Sequence, residues 1–208
     1  MSVVADEVRA VARPAVRLRS DRGDLLPLEV DRWYAEPSDA EHEVLSRAIP
    51  PVLDVGCGPA RHTLALRARG VPAVGVDVAA GAVRVARGRG APVLHRSVFD
   101  RLPNEGAWGT ALLLDGNIGI GGDPVSLLAR IRRVLRSRGR VLLELDRPGT
   151  PTDSFLARIE GSGSGSWFPW ARVGTDAIAT VAREAGLVLR EVWEADDRWF
   201  GCLDRRPP

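Results

Sequence analysis

The sequence predicts an α/β fold: one doubly wound domain on a mostly parallel seven-stranded sheet, with helices on both faces and an antiparallel strand pair at the C-terminus. Three observations carry that reading. From Pro51 onward, short apolar runs alternate with helical stretches, the pattern of a parallel sheet covered on both sides. Glycine-rich turns follow several of those runs. The last two apolar runs, 187–193 and 198–203, are close enough in sequence to pair antiparallel.

In order, the strands are expected at 51–55, 73–77, 92–95, 108–115, 140–146, 187–193 and 198–203. Helices are expected at 61–69, closed by Gly70, and at 79–87, ending near Gly88. The helix after Asp123 is the best punctuated. Asp123 suits an N-cap, and Pro124 suits N1, where a missing N–H costs nothing. Leu127, Leu128, Ile131, Val134 and Leu135 make its apolar stripe, and Gly139 is its expected stop. A last helix starts at Thr175 or Asp176 and stops at Gly186. Two segments stand apart. Residues 1–50 read as an N-terminal helical lid or cap holding one or two helices, leaving 51–208 as the main domain. Residues 161–166, an alternation of glycine and serine, read as a flexible stretch ahead of Trp167, Phe168 and Trp170.

The bulk properties narrow the function classes. With 208 residues and 45% hydrophobic content, one globular domain with a real core is expected. No apolar run is long enough to span a membrane, and the N-terminus lacks the apolar core and cleavage site of a secretory signal. Cys57 and Cys202 form no CxxC pair, which suggests a reducing cytoplasm. Every cation is arginine. The balance of 29 arginines against 27 acids is too even to argue for nucleic acid as a partner.

Ligands of such sheets bind beyond the carboxyl ends of the strands. That rule gathers residues 56–58, Asp77, 97–100 and 115–117 on one rim. The run Val52-Leu53-Asp54-Val55-Gly56-Cys57-Gly58-Pro59-Ala60 is the strongest signal there. Its glycines let the backbone turn sharply and approach a ligand. Asp77 ends the second strand, where a carboxylate can accept from both hydroxyls of an adenosine ribose. The nicotinamide fingerprint needs Gly or Ala at position 61, which is arginine. A carboxylate at Asp54 also suits an ammonium or sulfonium better than a diphosphate.

This pattern resembles motif I of the class I S-adenosylmethionine-dependent methyltransferases, small-molecule type, over residues 51–146 and more loosely to the final strand pair. The resemblance implies a Rossmann-like domain with S-adenosyl-L-methionine as cofactor. It implies cofactor-binding roles for Asp54, Gly56, Cys57, Gly58, Asp77 and Val78, with Ser97, Val98 and Phe99 as the adenine segment. Ser97 departs from the aspartate common in the family, and Ala60 from its glycine. Alanine fits at that position if φ is negative. Asp115-Gly116-Asn117 and the glycines that follow look like the family's fourth motif in small-molecule enzymes. The Asn/Asp-Pro-Pro-aromatic signature used on base amines is absent, which argues against nucleic-acid bases as acceptor.

Methyl transfer needs alignment and exclusion of water more than acid–base chemistry. Asp115 and His95 are the candidates for a base, Asp115 also for cofactor contact; His62, read on a surface helix, and His42, read in an acidic N-terminal helix, are weaker. No Cys/His/acid spacing suggests a metal site. Cys57 reads as a small packing residue. Trp33 and Tyr34 are candidates for a lid, and Trp167, Phe168 and Trp170 for closure on substrate, against packing on the sheet edge. The arginines at 84–89 and 130–140 read as solvated helix faces. The expected function is transfer of a methyl group to a small molecule. RNA or protein methylation, or a non-catalytic cofactor-binding domain of the same fold, remain as competitors. The oligomeric state and the acceptor are not specified by these residues.

Overall fold

The computed structural model describes residues 17–27, 29–160 and 165–205. A hairpin, β1 (Arg17–Ser20) and β2 (Leu25–Pro27), leads into helices α1 (Val30–Tyr34) and α2 (Asp39–Ser46). The βα units follow: β3 (Val52–Val55), α3 (Arg61–Ala68), β4 (Ala73–Asp77), α4 (Ala80–Gly88), β5 (Val93–His95), β6 (Trp108–Leu113), α5 (Pro124–Val134) and β7 (Leu135–Leu145). Then come β8 (Asp153–Glu160), β9 (Phe168–Arg172), α6 (Ile178–Glu184), β10 (Val188–Ala195) and β11 (Arg198–Asp204).

Seven strands form the main sheet in the order β10-β11-β7-β6-β3-β4-β5. β7, β6, β3, β4 and β5 run parallel, and β11 pairs antiparallel with both β7 and β10. Every residue of β3 and β6 is buried, as a central strand covered on both faces requires. On one face Leu53, Val55, Leu113 and Leu143 pack with Leu127 and Ile131 of α5 and Ile178 of α6. On the other, Val52, Leu112, Leu142 and Phe200 pack with Val44 of α2 and Leu66 of α3. The strand order reverses beside β3, so the crevice lies beyond the tips of β3 and β6.

α5 starts as expected: the Asp123 side chain accepts from Ser126 N–H, and Pro124 stands in the first turn. It stops at Val134, five residues before the expected Gly139. Leu135 is fully buried and already pairs with Trp108 of β6, so the chain turns extended at once. A Cβ at Gly139 would lie 3.1 Å from the Trp108 carbonyl oxygen, so this glycine serves a tight strand irregularity.

The expectation of helices alone in the N-terminal segment is corrected. α1 and α2 are there, and α2 opens with a capping box between Ser38 and Glu41. Ahead of them, β1 and β2 join β8 and β9 in a second, antiparallel sheet ordered β2-β1-β8-β9. One face of it is apolar, with Leu18, Leu26, Phe155, Ala157, Phe168 and Trp170 together. Trp33 and Tyr34 sit on α1. Of the glycine–serine stretch, residues 161–164 lie outside the described residues.

Candidate active site

The strand-tip rim holds together. A cavity of about 890 Å³ is lined by Gly56, Cys57, Gly58, Asp77, Val78, Ser97, Val98, Phe99, Asp115, Gly116 and Asn117. The same cavity is lined by Trp33, Tyr34, Glu144, Asp146 and the apolar face of the small sheet through Leu18, Leu26, Ile159, Phe168 and Trp170.

The turn after β3 is left-handed three times, at Gly56 (φ 69°), Gly58 (φ 53°) and Ala60 (φ 67°). Ala60 therefore does not meet the condition of negative φ set for it above; its Cβ costs about 1–2 kcal/mol in this region. A Cβ at Gly56 would lie 2.7 Å from Asn117 Nδ2, which is why only glycine fits there. Asn117 donates to the carbonyls of Val55 and Gly56 at 2.9 and 3.0 Å, locking the loop after β6 onto the turn after β3. Asp77 accepts from the N–H groups of Gly58 and Ala79 at 2.8 Å each. A carboxylate has about four lone-pair positions, so roughly two face the cavity unused.

Cys57 packs as expected. A Cβ on Gly75 of β4 would come within 2.5 Å of its sulfur. Burial, then the charges of Asp54 and Asp77, pushes its thiol far up, out of the range where a thiolate forms. Val78 is 66% exposed and Phe99 45%, both on the cavity wall. The Phe99 ring rests within 2.9 Å of where a Cβ on Gly121 would stand. Ser97 Oγ accepts from Phe99 N–H at 3.2 Å.

Two expected site residues are placed elsewhere. Asp54 is buried, does not line the cavity, and accepts from Thr63 N–H and Oγ1–H at 3.2 and 2.8 Å. The physical reason is a missing cap. Ala60 precedes α3 and has no side chain to accept the third helical N–H, so Asp54 reaches over from β3 to do it. His95 is exposed, and its Nε2 lies 3.1 Å from the Val78 carbonyl, off the cavity wall. Asp115 does line the cavity, at a left-handed φ of 55°. Both of its oxygens accept from Arg61 Nη2 at 2.6 and 2.8 Å.

Behind the cavity lies a charge network that residue spacing did not reveal. Arg61, only 3% exposed, also donates to Glu41 at 2.6 and 3.1 Å. Glu41 accepts further from Arg198 at 3.0 Å and Arg32 at 3.3 Å. Burial alone would raise the Glu41 carboxyl, but His62, the Ser38 N–H and Arg61 outweigh it and hold it down to about 2. His62 is buried and not on the surface as expected. Burial opposes its charged form, and Glu41, Asp54 and Asp115 prevail and raise it. Glu144 accepts from Arg198 Nε and Nη2 at 2.8 and 2.6 Å and from Asp115 N–H at 2.8 Å. Burial and the nearby Asp115 charge push Glu144 up to about 7. Asp146, at the tip of β7, takes two hydrogen bonds from Arg172 of β9 at 2.6 and 3.2 Å.

Of the two readings of Trp167, Phe168 and Trp170, closure on substrate or packing on a sheet edge, Phe168 and Trp170 fall in β9, an edge strand of the small sheet. A Cβ on Gly119 would stand 2.1 Å from the Ala171 carbonyl oxygen and 2.9 Å from the Trp170 ring. A Cβ on Gly122 would stand 2.9 Å from Pro169. β9 lies directly on the glycine loop. Among the arginines read as solvated, Arg130 donates to the carbonyls of Val98 and Asp100, and Arg89 to that of Pro59, bracing the rim from outside.

A family profile described as "Methyltransferase domain" matches residues 52–139. No curated protein sequence matches the chain. Among solved structures, a SAM-dependent methyltransferase from Bacteroides fragilis in complex with S-adenosyl-L-homocysteine superposes with a TM-score of 0.77 at 20% identity, covering 94% of this chain and 89% of its own. A 1,6-didemethyltoxoflavin-N1-methyltransferase from Burkholderia thailandensis gives 0.62 at 18% identity, with 86% and 82% covered. The amino pentose methyltransferase CalS10 from Micromonospora echinaspora gives 0.62 at 17%, with 85% and 94% covered. A methyltransferase-domain profile thus covers the strands and turns that build the rim, and the fold is shared along nearly the whole chain with a SAM-dependent methyltransferase of solved structure.

Proposed function

We propose that the protein transfers a methyl group from S-adenosylmethionine to a small-molecule acceptor. One observation carries the reading: the glycine turn and Asp77 share a single cavity of about 890 Å³ with the apolar roof of the small sheet. That volume is within the range of small-ligand pockets, roughly 300–1,000 Å³. The structural neighbours that act on a toxoflavin precursor and on an amino pentose point the same way.

The residues present fit the cofactor. The turn at 56–58 brings backbone without a Cβ to the cavity wall, where it can lie against the methionine portion. The two unused lone-pair directions of Asp77 suit a ribose diol. Val78 and Phe99 are apolar side chains left exposed at the same end, as flanks for a flat base. When bound, the cofactor supplies a methyl carbon on a positively charged sulfur, already electrophilic. The protein's part is then to orient and to keep out water. Asn117 holds the glycine turn in register with the loop after β6. Arg61 fixes the Asp115 carboxylate at the cavity wall. Trp33, Tyr34, Phe168 and Trp170 line the space with aromatic surface. β1, β2 and α1 act as the cap over this space through Leu18, Leu26, Val30, Trp33 and Tyr34.

Titration calorimetry with S-adenosylhomocysteine tests the reading. Binding is expected in the micromolar range, and Asp77→Ala is expected to weaken it by tenfold or more while circular dichroism stays unchanged. Two lost charge-assisted hydrogen bonds account for about 3 kcal/mol, roughly a hundredfold. Equal affinity in the variant, or preference for a nicotinamide dinucleotide, defeats the proposal.

A further inference from the structure

We infer that the methyl acceptor is a small ring-bearing amine, docked as its ammonium form against Asp146 and Glu144; this rests on the methyl-transfer reading above. The argument is a count of hydrogen-bonding capacity on the cavity wall at the tips of β6 and β7. Asp115, Glu144 and Asp146 all line the cavity there. Asp115 accepts two hydrogen bonds from Arg61, Glu144 three from Arg198 and the Asp115 N–H, and Asp146 two from Arg172. Three carboxylates offer roughly twelve lone-pair positions, so about five remain.

Donors are scarce on the same wall. Arg61 spends its Nη atoms on Glu41, Asp115 and the Arg32 carbonyl, and two of Arg172's three nitrogens are spent on Asp146. Asn117 Nδ2 is committed to two backbone carbonyls. An ammonium has three donors, so the cofactor's own amino group leaves about two positions over. A second donor-rich cation satisfies them. An anionic acceptor would meet the two remaining lone pairs, and at these strand tips, among the described residues, only Arg172 Nη1 is left to offset them, since Arg61 is committed through both Nη atoms.

The rest of the wall suits the body of such a molecule. Trp33, Tyr34, Phe168 and Trp170 face the cavity with Leu18, Leu26 and Ile159. Aromatic faces attract a cation and stack on a flat ring. The chemistry closes as well. The ammonium gives one N–H proton to the remaining position on Glu144 Oε1. The freed nitrogen lone pair forms the bond to the methyl carbon, and the electron pair of the broken carbon–sulfur bond stays on sulfur. The product leaves as a methylammonium ion. Glu144 is placed to take that proton near neutrality: burial and Asp115, with Glu41 adding and Arg32 opposing, set it near 7.

The test uses the full chain saturated with S-adenosylhomocysteine, and matched ligands differing only in head group. Tryptamine, tryptophol and indole-3-acetate form one set; benzylamine, benzyl alcohol and benzoate form another. Calorimetry is expected to show an amine binding at least tenfold tighter than its matched alcohol, with no measurable binding of the acid. Asp146→Asn and Glu144→Gln are each expected to bring the amine-to-alcohol ratio towards one. An alcohol or acid binding as well as the amine, no amine binding in either set, or an amine preference that survives both substitutions overturns the inference. If S-adenosylhomocysteine itself fails to bind, the fault lies with the methyl-transfer reading and the inference falls with it.

Discussion

Glu41→Gln isolates the network that joins the N-terminal segment to the cavity. Glu41 has no solvent exposure and accepts from Arg61, Arg198 and Arg32. Glutamine keeps the shape but presents an NH₂ to guanidinium donors. Arg61, itself 3% exposed, is then left with Asp115 as its only anionic partner in the network. Breaking a buried pair from one side costs about 3–5 kcal/mol. An independent route gives a similar figure. The Glu41 carboxyl is held at about 2 against a usual 4.5, and each pKa unit is worth about 1.4 kcal/mol, or about 3 kcal/mol in all. Because the native pKa lies below the unfolded one, this stabilisation is present above about pH 4.5. It fades as pH falls towards about 2. Urea unfolding followed by circular dichroism is therefore expected to show a loss of about 3 kcal/mol at pH 7 that shrinks steadily below pH 4.5. A variant within 1 kcal/mol of the parent at pH 7, or a deficit that is the same at pH 3, refutes the argument.

Other expectations follow from single contacts. Gly119→Ala drives a methyl to 2.1 Å from the Ala171 carbonyl, so β9 must move. Tryptophan fluorescence should shift and stability fall by about 1–3 kcal/mol, with S-adenosylhomocysteine affinity held within a few-fold, because the 56–58 turn is untouched. Gly75→Ala pushes against Cys57 Sγ at 2.5 Å and should cost about 1–3 kcal/mol in urea, partly recovered by Cys57→Gly. Glu144 sits near 7 against a usual 4.5, so the native state holds its proton more tightly and stability drops as pH rises between those values. Glu144→Gln should flatten that slope between pH 4.5 and 7; an unchanged slope assigns it to other groups.

The legible part of this molecule is the part whose physics is local. A buried strand followed by glycines, then a helix, then a carboxylate one βα unit later can be read from spacing alone, because parallel strands deliver their ends to one rim. Thus Gly56, Gly58, Asp77 and Asn117 converge as that rule demands. Where a residue's role depends on partners far along the chain, spacing is silent. Asp54 reads as a cofactor ligand from its place in the motif, and only the uncapped start of α3 at Ala60 shows why it turns the other way. Glu41 and Arg198 are 157 positions apart, yet they share one ion network. The small sheet was hidden for the same reason. β1 pairs with β8 across some 140 residues, and neither strand carries a turn motif that names its partner. Yet that sheet lines the same cavity as the glycine turn, so one wall of the cavity depends on long-range pairings while the other follows from a nine-residue motif. The tips of β7 are the exception that sequence could have reached. Glu144 and Asp146 end a parallel strand beside the switch point, and the rule that gathered Asp77 and Asp115 applies to them without change.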